Sequence, residues 1–161
     1  MLEQNEMLFE ERLIMTIHVA VDRQNKRELI GSRGRVIMIP FSGTVEGEIF
    51  NGTVCPGACD TQTENMAMVR HMSARYMLEG VDCFGQKGRI YIENNGWFTN
   101  GERPKPFTTV PTFYTDCEGL AAYLHTSQFI TRGFPGEQGP DICVYQLICQ
   151  TKGTGACESY K

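Results

Sequence analysis

Apolar side chains in this chain recur at every second position, in short runs broken by glycine, proline, asparagine and aspartate. That spacing commits most of the chain to β-strand. Over Leu13 to Val19, residues Leu13, Met15, Ile17 and Val19 fall on one face and Ile14, Thr16 and His18 on the other. Over Met66 to Leu78, His71, Ser73 and Arg75 share one face, opposite Met72, Ala74, Tyr76 and Leu78. Arg35 to Ile39, Thr44 to Val54 (two short strands), Gly88 to Asn94, Phe107 to Phe113, Gln128 to Thr131 and Asp141 to Gln150 complete the strands. Asp22 to Gly34 reads as a polar loop, Cys55 to Cys59 as a Pro-Gly turn and Asn100-Gly101 as a tight turn. Pro40 limits ladder bonding where it stands.

Helical spacing occurs once. Leu120, Tyr123 and Leu124 lie at i, i+3 and i+4 behind Asp116, a candidate N-cap, which predicts about two turns within 116–125. The chain of 161 residues is long enough for one domain that hides about 70% of its extended surface. Residues 1–150 read as that domain and 151–161 as a polar tail. Nine or ten short strands in so small a chain avoid exposed edges by closing on themselves. The expected fold is all-β: a single antiparallel barrel with one short helix.

Charge narrows the function. The net charge is −4 and no basic block is interleaved with aromatics, which excludes nucleic acid as a natural partner. The longest apolar run, Val36 to Phe41, is far short of the ~20 residues of a spanning helix. Leu13 to Met15 is too short for a secretory signal, and acidic residues precede it. Seven cysteines, an odd number, argue against a disulfide framework and for reduced thiols in the cytoplasm. Cys55-x₃-Cys59 and Cys143-x₅-Cys149 lack the second knuckle of a structural zinc, so no metal and no cofactor is expected.

Val36 to Asp60 reads VIMIPFSGTVEGEIFNGTVCPGACD: a strand, Pro-x-x-Gly, glycines at spacings of four and five, then Pro-Gly-x-x-Asp. Ser73-Ala74-Arg75-Tyr76-x-Leu78, Ile90-Tyr91-Ile92-x-Asn94-x-Gly96 and Phe107-x-Thr109-x-Pro111-x-Phe113 follow in order. Then come Tyr123-Leu124, Gln128-Phe129-Ile130-x-x-Gly133 and Val144-Tyr145-x-Leu147. This series resembles uncharacterised protein family 0311, also called domain of unknown function 3237, over roughly residues 8–148. The resemblance implies a small antiparallel barrel similar to the calycins, with a lumen able to hold a small molecule, and no settled activity. His125 departs from the asparagine usual after the aromatic-Leu pair.

Alternate residues of barrel strands point inward. A mid-strand Arg75 needs an anion, and Asp60, in the rigid Pro-Gly-x-x-Asp turn, is the natural partner, either as a pair that orients a ligand or as a structural salt bridge tying the turn to the barrel wall. Asp60, Arg75, Asn94 and His125 are the candidate polar site, and Phe113 belongs to an aromatic set able to line an apolar lumen. Three readings stay open. The first is binding of a small, partly apolar organic molecule by these five residues. The second is a cofactor-free isomerase, cyclase or hydrolase with His125 and Asp60 as acid and base. The third is an assembly module whose barrel is filled with side chains. Strands apolar on both faces also predict a homo-oligomer, most simply a dimer.

Overall fold

The computed structural model describes residues 8–99 and 102–150. Among them are ten strands and one helix, in the order β1 (Phe9–Val21), β2 (Arg27–Gly31), β3 (Gly34–Gly47), β4 (Phe50–Val54), β5 (Cys59–Asn65), β6 (Arg70–Asp82), β7 (Lys87–Phe98), β8 (Phe107–Thr115), α1 (Glu118–Thr126), β9 (Gln128–Pro135) and β10 (Pro140–Cys149). The expected Asn100-Gly101 turn and the 151–161 tail lie outside the described residues.

Every pairing is antiparallel, and the sheet closes. The ring runs β1, β10, β9, β8, β7, β6 and β3, with β4 and β5 sharing one position between β6 and β3, and β1 pairs back to β3. This is an eight-stranded barrel, and β2 lies outside the ring. Closure leaves no edge for another chain to extend along the ring.

Four expectations need correction. The segment 22–34 is not all loop: Arg27–Gly31 forms a wholly exposed strand that pairs with the start of β3. The strand read over Arg35 to Ile39 does not stop before Pro40 but runs on to Gly47. At Pro40, β3 exchanges neighbours: β2 pairs up to Met38 and β1 takes over from Phe41. The imide nitrogen therefore falls where a ladder changes hands, and the Pro40 carbonyl accepts from Asp22 N at 2.9 Å. In β1 a bulge between Leu13 and Met15 breaks the strict alternation. Ile14 and Met15 are both buried as a result, and Leu13 is exposed. Asp116 does not cap α1. Its Oδ1 accepts from Arg89 N at 2.7 Å, while Cys117 holds the cap position without a side-chain bond.

The helix plugs one end of the barrel. Leu120 and Leu124 are buried in the main core cluster together with Phe113 and Phe129, whose rings meet edge to face at 5.1 Å. The helix packs against β8, and Tyr123 meets Phe129 of β9 edge to face at 5.6 Å, so the opposite end, where β6 begins and β8 starts, is left for a site.

Candidate functional site

Register decides which side chains enter the lumen. Asp60 pairs with Ala74, and Ala74 pairs with Asn94, so these three share a face. Cys59, Arg75 and Glu93 form the next row and share the other face. Met72, Tyr76 and Leu78 are buried, which identifies the face of Ala74 as the inner one.

A cavity of about 490 Å³ opens at the end opposite α1. Its floor is apolar and aromatic: Phe41, Met72, Ala74, Tyr76, Phe107 and Ile142. Gly133 faces Phe107 across the β8–β9 ladder, and the ring of Phe107 occupies the place a Cβ at 133 would take. A larger residue there would push Phe107 into the cavity.

Polar groups converge on one side. Gln62 is buried, and its Nε2 donates to Oδ2 of Asp60 at 2.6 Å. The other end of the same amide, Oε1, accepts from the Arg70 guanidinium. A cation and a carboxylate are thus joined through a neutral amide rather than in direct contact. The second carboxylate oxygen of Asp60, Oδ1, is buried with no partner. Burial raises the Asp60 pKa, opposed first by the Gln62 hydrogen bond and then by the charges of Arg103 and Arg70. Tyr76, on the same wall, is also raised, by burial and then by the charge of Asp60. Deeper, Asn94 donates from Nδ2 to Thr131 Oγ1 at 3.1 Å, and Thr131 is hydrogen-bonded to Thr109.

The five sequence candidates separate. Asp60 and Asn94 both line the cavity. Arg75 does not: it stands on the outer face, largely exposed, 3.7 Å from Glu93, so the expected Asp60–Arg75 pair is replaced by a surface ion pair. The alternation along β6 was right, but its inner face is the one without Arg75. Phe113 is inward and buried, yet it packs at the helix end rather than against the cavity. His125 is exposed near the end of α1, edge-on to Tyr114 at 5.3 Å, and lines a separate outer groove. Gln62, Arg70 and Arg103 are cavity residues that the sequence reading missed. The usable signal was the alternation Asp60-x-Gln62, in register with the inner face of β6.

The described cysteines are free thiols, Cys117 among them buried and raised in pKa mainly by that burial. No group of three or more His, Cys, Asp or Glu suited to a metal occurs among the described residues. None of the described helices is long and apolar enough to cross a membrane.

Residues 10–147 match the family described as Protein of unknown function (DUF3237). The chain belongs to that family. It is 35% identical over 127 residues to a UPF0311 protein of Clostridium acetobutylicum, covering 68% of this chain and 75% of the relative. Among solved structures, a protein of unknown function from Clostridium acetobutylicum superposes with a TM-score of 0.72 at 26% identity, covering 89% of this chain and 100% of that one. A beta-barrel like protein from Acinetobacter baumannii AYE superposes at 0.69 and 16% identity, covering 91% and 100%. The second likeness concerns the fold alone. DUF3237 membership accounts for the barrel and assigns no chemistry to its lumen.

Proposed function

We propose that this DUF3237 barrel binds a small, partly apolar organic molecule in its lumen, in the manner of calycins. The observation that carries the reading is the open cavity beside Asp60. About 490 Å³ lies within the usual range of ligand pockets, and polar groups converge above an apolar and aromatic floor. The unpartnered Oδ1 of Asp60 is a buried acceptor that a ligand hydroxyl or N–H would satisfy. A barrel filled with side chains would leave no such space. The cytoplasmic setting and the homo-oligomer belong to the same proposal. They are supported by the odd cysteine count and by exposed apolar residues such as Leu13, Ile30 and Trp97.

One observation favours a catalytic variant. A desolvated carboxyl with a raised pKa and a vacant oxygen, facing an open cavity, is suited to proton abstraction. His125 cannot share that step from its groove outside the cavity, so such chemistry would rest on Asp60.

The test is titration with N-phenyl-1-naphthylamine, a neutral apolar fluorophore. Saturable one-to-one binding is expected, and it should be lost in Ala74→Phe, whose ring would occupy the lumen. Binding that a folded Ala74→Phe retains would overturn the reading, and so would absence of saturable binding by this fluorophore and by its sulfonated analogue alike.

A further inference from the structure

Four cationic side chains line the cavity: Arg23, Arg70, Arg103 and Lys105. Only two carboxylates, Asp60 and Glu137, face them. The cavity therefore carries an excess of positive charge within a chain whose net charge is −4. A positive cleft in a negative molecule focuses its field on whatever enters.

The described ion pairs lie elsewhere, on Arg12, His18, Lys26, Arg35, Arg75, Arg89 and Arg132. Asp60 makes no ion pair with the cavity guanidiniums: its one hydrogen bond comes from Gln62, and it acts on Arg70 and Arg103 only as a nearby charge. Arg70 donates to a neutral amide oxygen and is in none of the described ion pairs. Arg103 is half-buried, its guanidinium carbon 4.3 Å from the centroid of the Phe107 ring. That stacking holds the guanidinium against the apolar wall and leaves its N–H edge to other partners. Burial is the main cause of the lowered Arg103 pKa, and repulsion from Arg70 is the next. Two guanidiniums near enough to oppose each other, both partly desolvated, are the arrangement that an anion between them relieves.

Taking the lumen-binding reading as its basis, we infer that the occupant is an organic anion. Its apolar body lies against Met72, Phe41 and Phe107, and its carboxylate or sulfonate is held near the mouth by Arg70 and Arg103.

Two fluorophores that share one carbon skeleton test this on the 161-residue chain. 8-Anilinonaphthalene-1-sulfonate is N-phenyl-1-naphthylamine with a sulfonate added. A charge-assisted contact should make the sulfonate bind about 10-fold or more tighter than the neutral compound. Arg103→Gln should remove most of that preference by weakening the anion alone, and Arg103→Lys should restore part of it. Raising salt from about 0.05 to 0.5 M should weaken the anion and spare the neutral probe, a readout on wild-type protein that does not depend on how a variant folds. Neutral binding with no preference for the sulfonate, or a preference indifferent to both Arg103→Gln and salt, overturns the inference and leaves the lumen reading standing. Failure of both probes to bind overturns the two together.

Discussion

Gln62 donates through Nε2 to one oxygen of Asp60 at 2.6 Å and leaves the other oxygen of that carboxyl buried and unpartnered. The carboxylate is therefore under-served, and its position follows from the register of β5 against β6 rather than from a charge partner. Because burial raises the folded pKa of Asp60, the sign of its effect on stability is fixed. Its contribution is full below the unfolded carboxylate pKa and is lost as pH rises through the raised folded value. Asp60→Asn, which keeps the oxygen that accepts from Gln62, should stabilise the protein at pH 7. The gain should vanish as pH falls below the ordinary carboxylate range. Thermal midpoints of both proteins at pH 7 and pH 3.5 check this, and a large loss of stability at pH 7 would contradict it.

Arg75 and Thr131 provide a contrasting pair. Arg75→Ala removes an exposed contact with Glu93 and should cost about 1 kcal/mol or less, with probe binding unchanged. Thr131→Val removes the acceptor for the buried Asn94 amide and should cost about 1–3 kcal/mol. Urea denaturation of the two variants decides the ordering. A costlier Arg75 variant would contradict the assignment of faces.

His18 reports on the barrel seam. Its Nδ1 lies 2.8 Å from Asp141 and its Nε2 3.1 Å from Glu46, and these hydrogen bonds, Asp141 first, raise its pKa. A raised histidine contributes stability that is present below its unfolded pKa and is lost as pH rises through the folded one. Wild-type protein should lose a small increment of stability across that window, and His18→Gln should lose none. Both side chains are substantially exposed, so the increment is a small one. Titration of the His18 ring by NMR locates the window.

The fold was legible because nearly every strand keeps one apolar face, and β5, which the sequence pattern misses along with β2, shows why that matters. β5 reads CDTQTEN and offers no apolar alternation. Its inward residues, Asp60 and Gln62, line a polar part of the lumen, so the strand that carries the site is the one that hydrophobic patterning cannot detect. Asn94 and Asp60 were recoverable from their motifs. Arg75 was misplaced because periodicity gives two faces and does not say which is inner. A mid-strand arginine reads as buried and paired, but in this barrel it snorkels outward to Glu93. The bulge at Leu13 and the exchange of neighbours at Pro40 depend on strands far apart in sequence, and no local pattern encodes them.

At the opposite end, α1 should act as the plug. Leu124 is buried among the core residues, and Leu124→Ala should cost about 2–5 kcal/mol while leaving the distant cavity able to bind the neutral probe. Loss of probe binding in a folded Leu124→Ala protein would mean that the occupied space lies at the helix end.

Occupancy of the lumen is read most directly from methionine methyl groups. Met72 lines the cavity, whereas Met77, on the same strand, is exposed on the outer face. In a carbon-13 methyl NMR titration with N-phenyl-1-naphthylamine, ring currents from a bound aromatic should shift Met72 saturably and leave Met77 in place. A Met72 signal that stays fixed while Met77 or other exposed methionines move would place the probe outside the barrel and contradict the account.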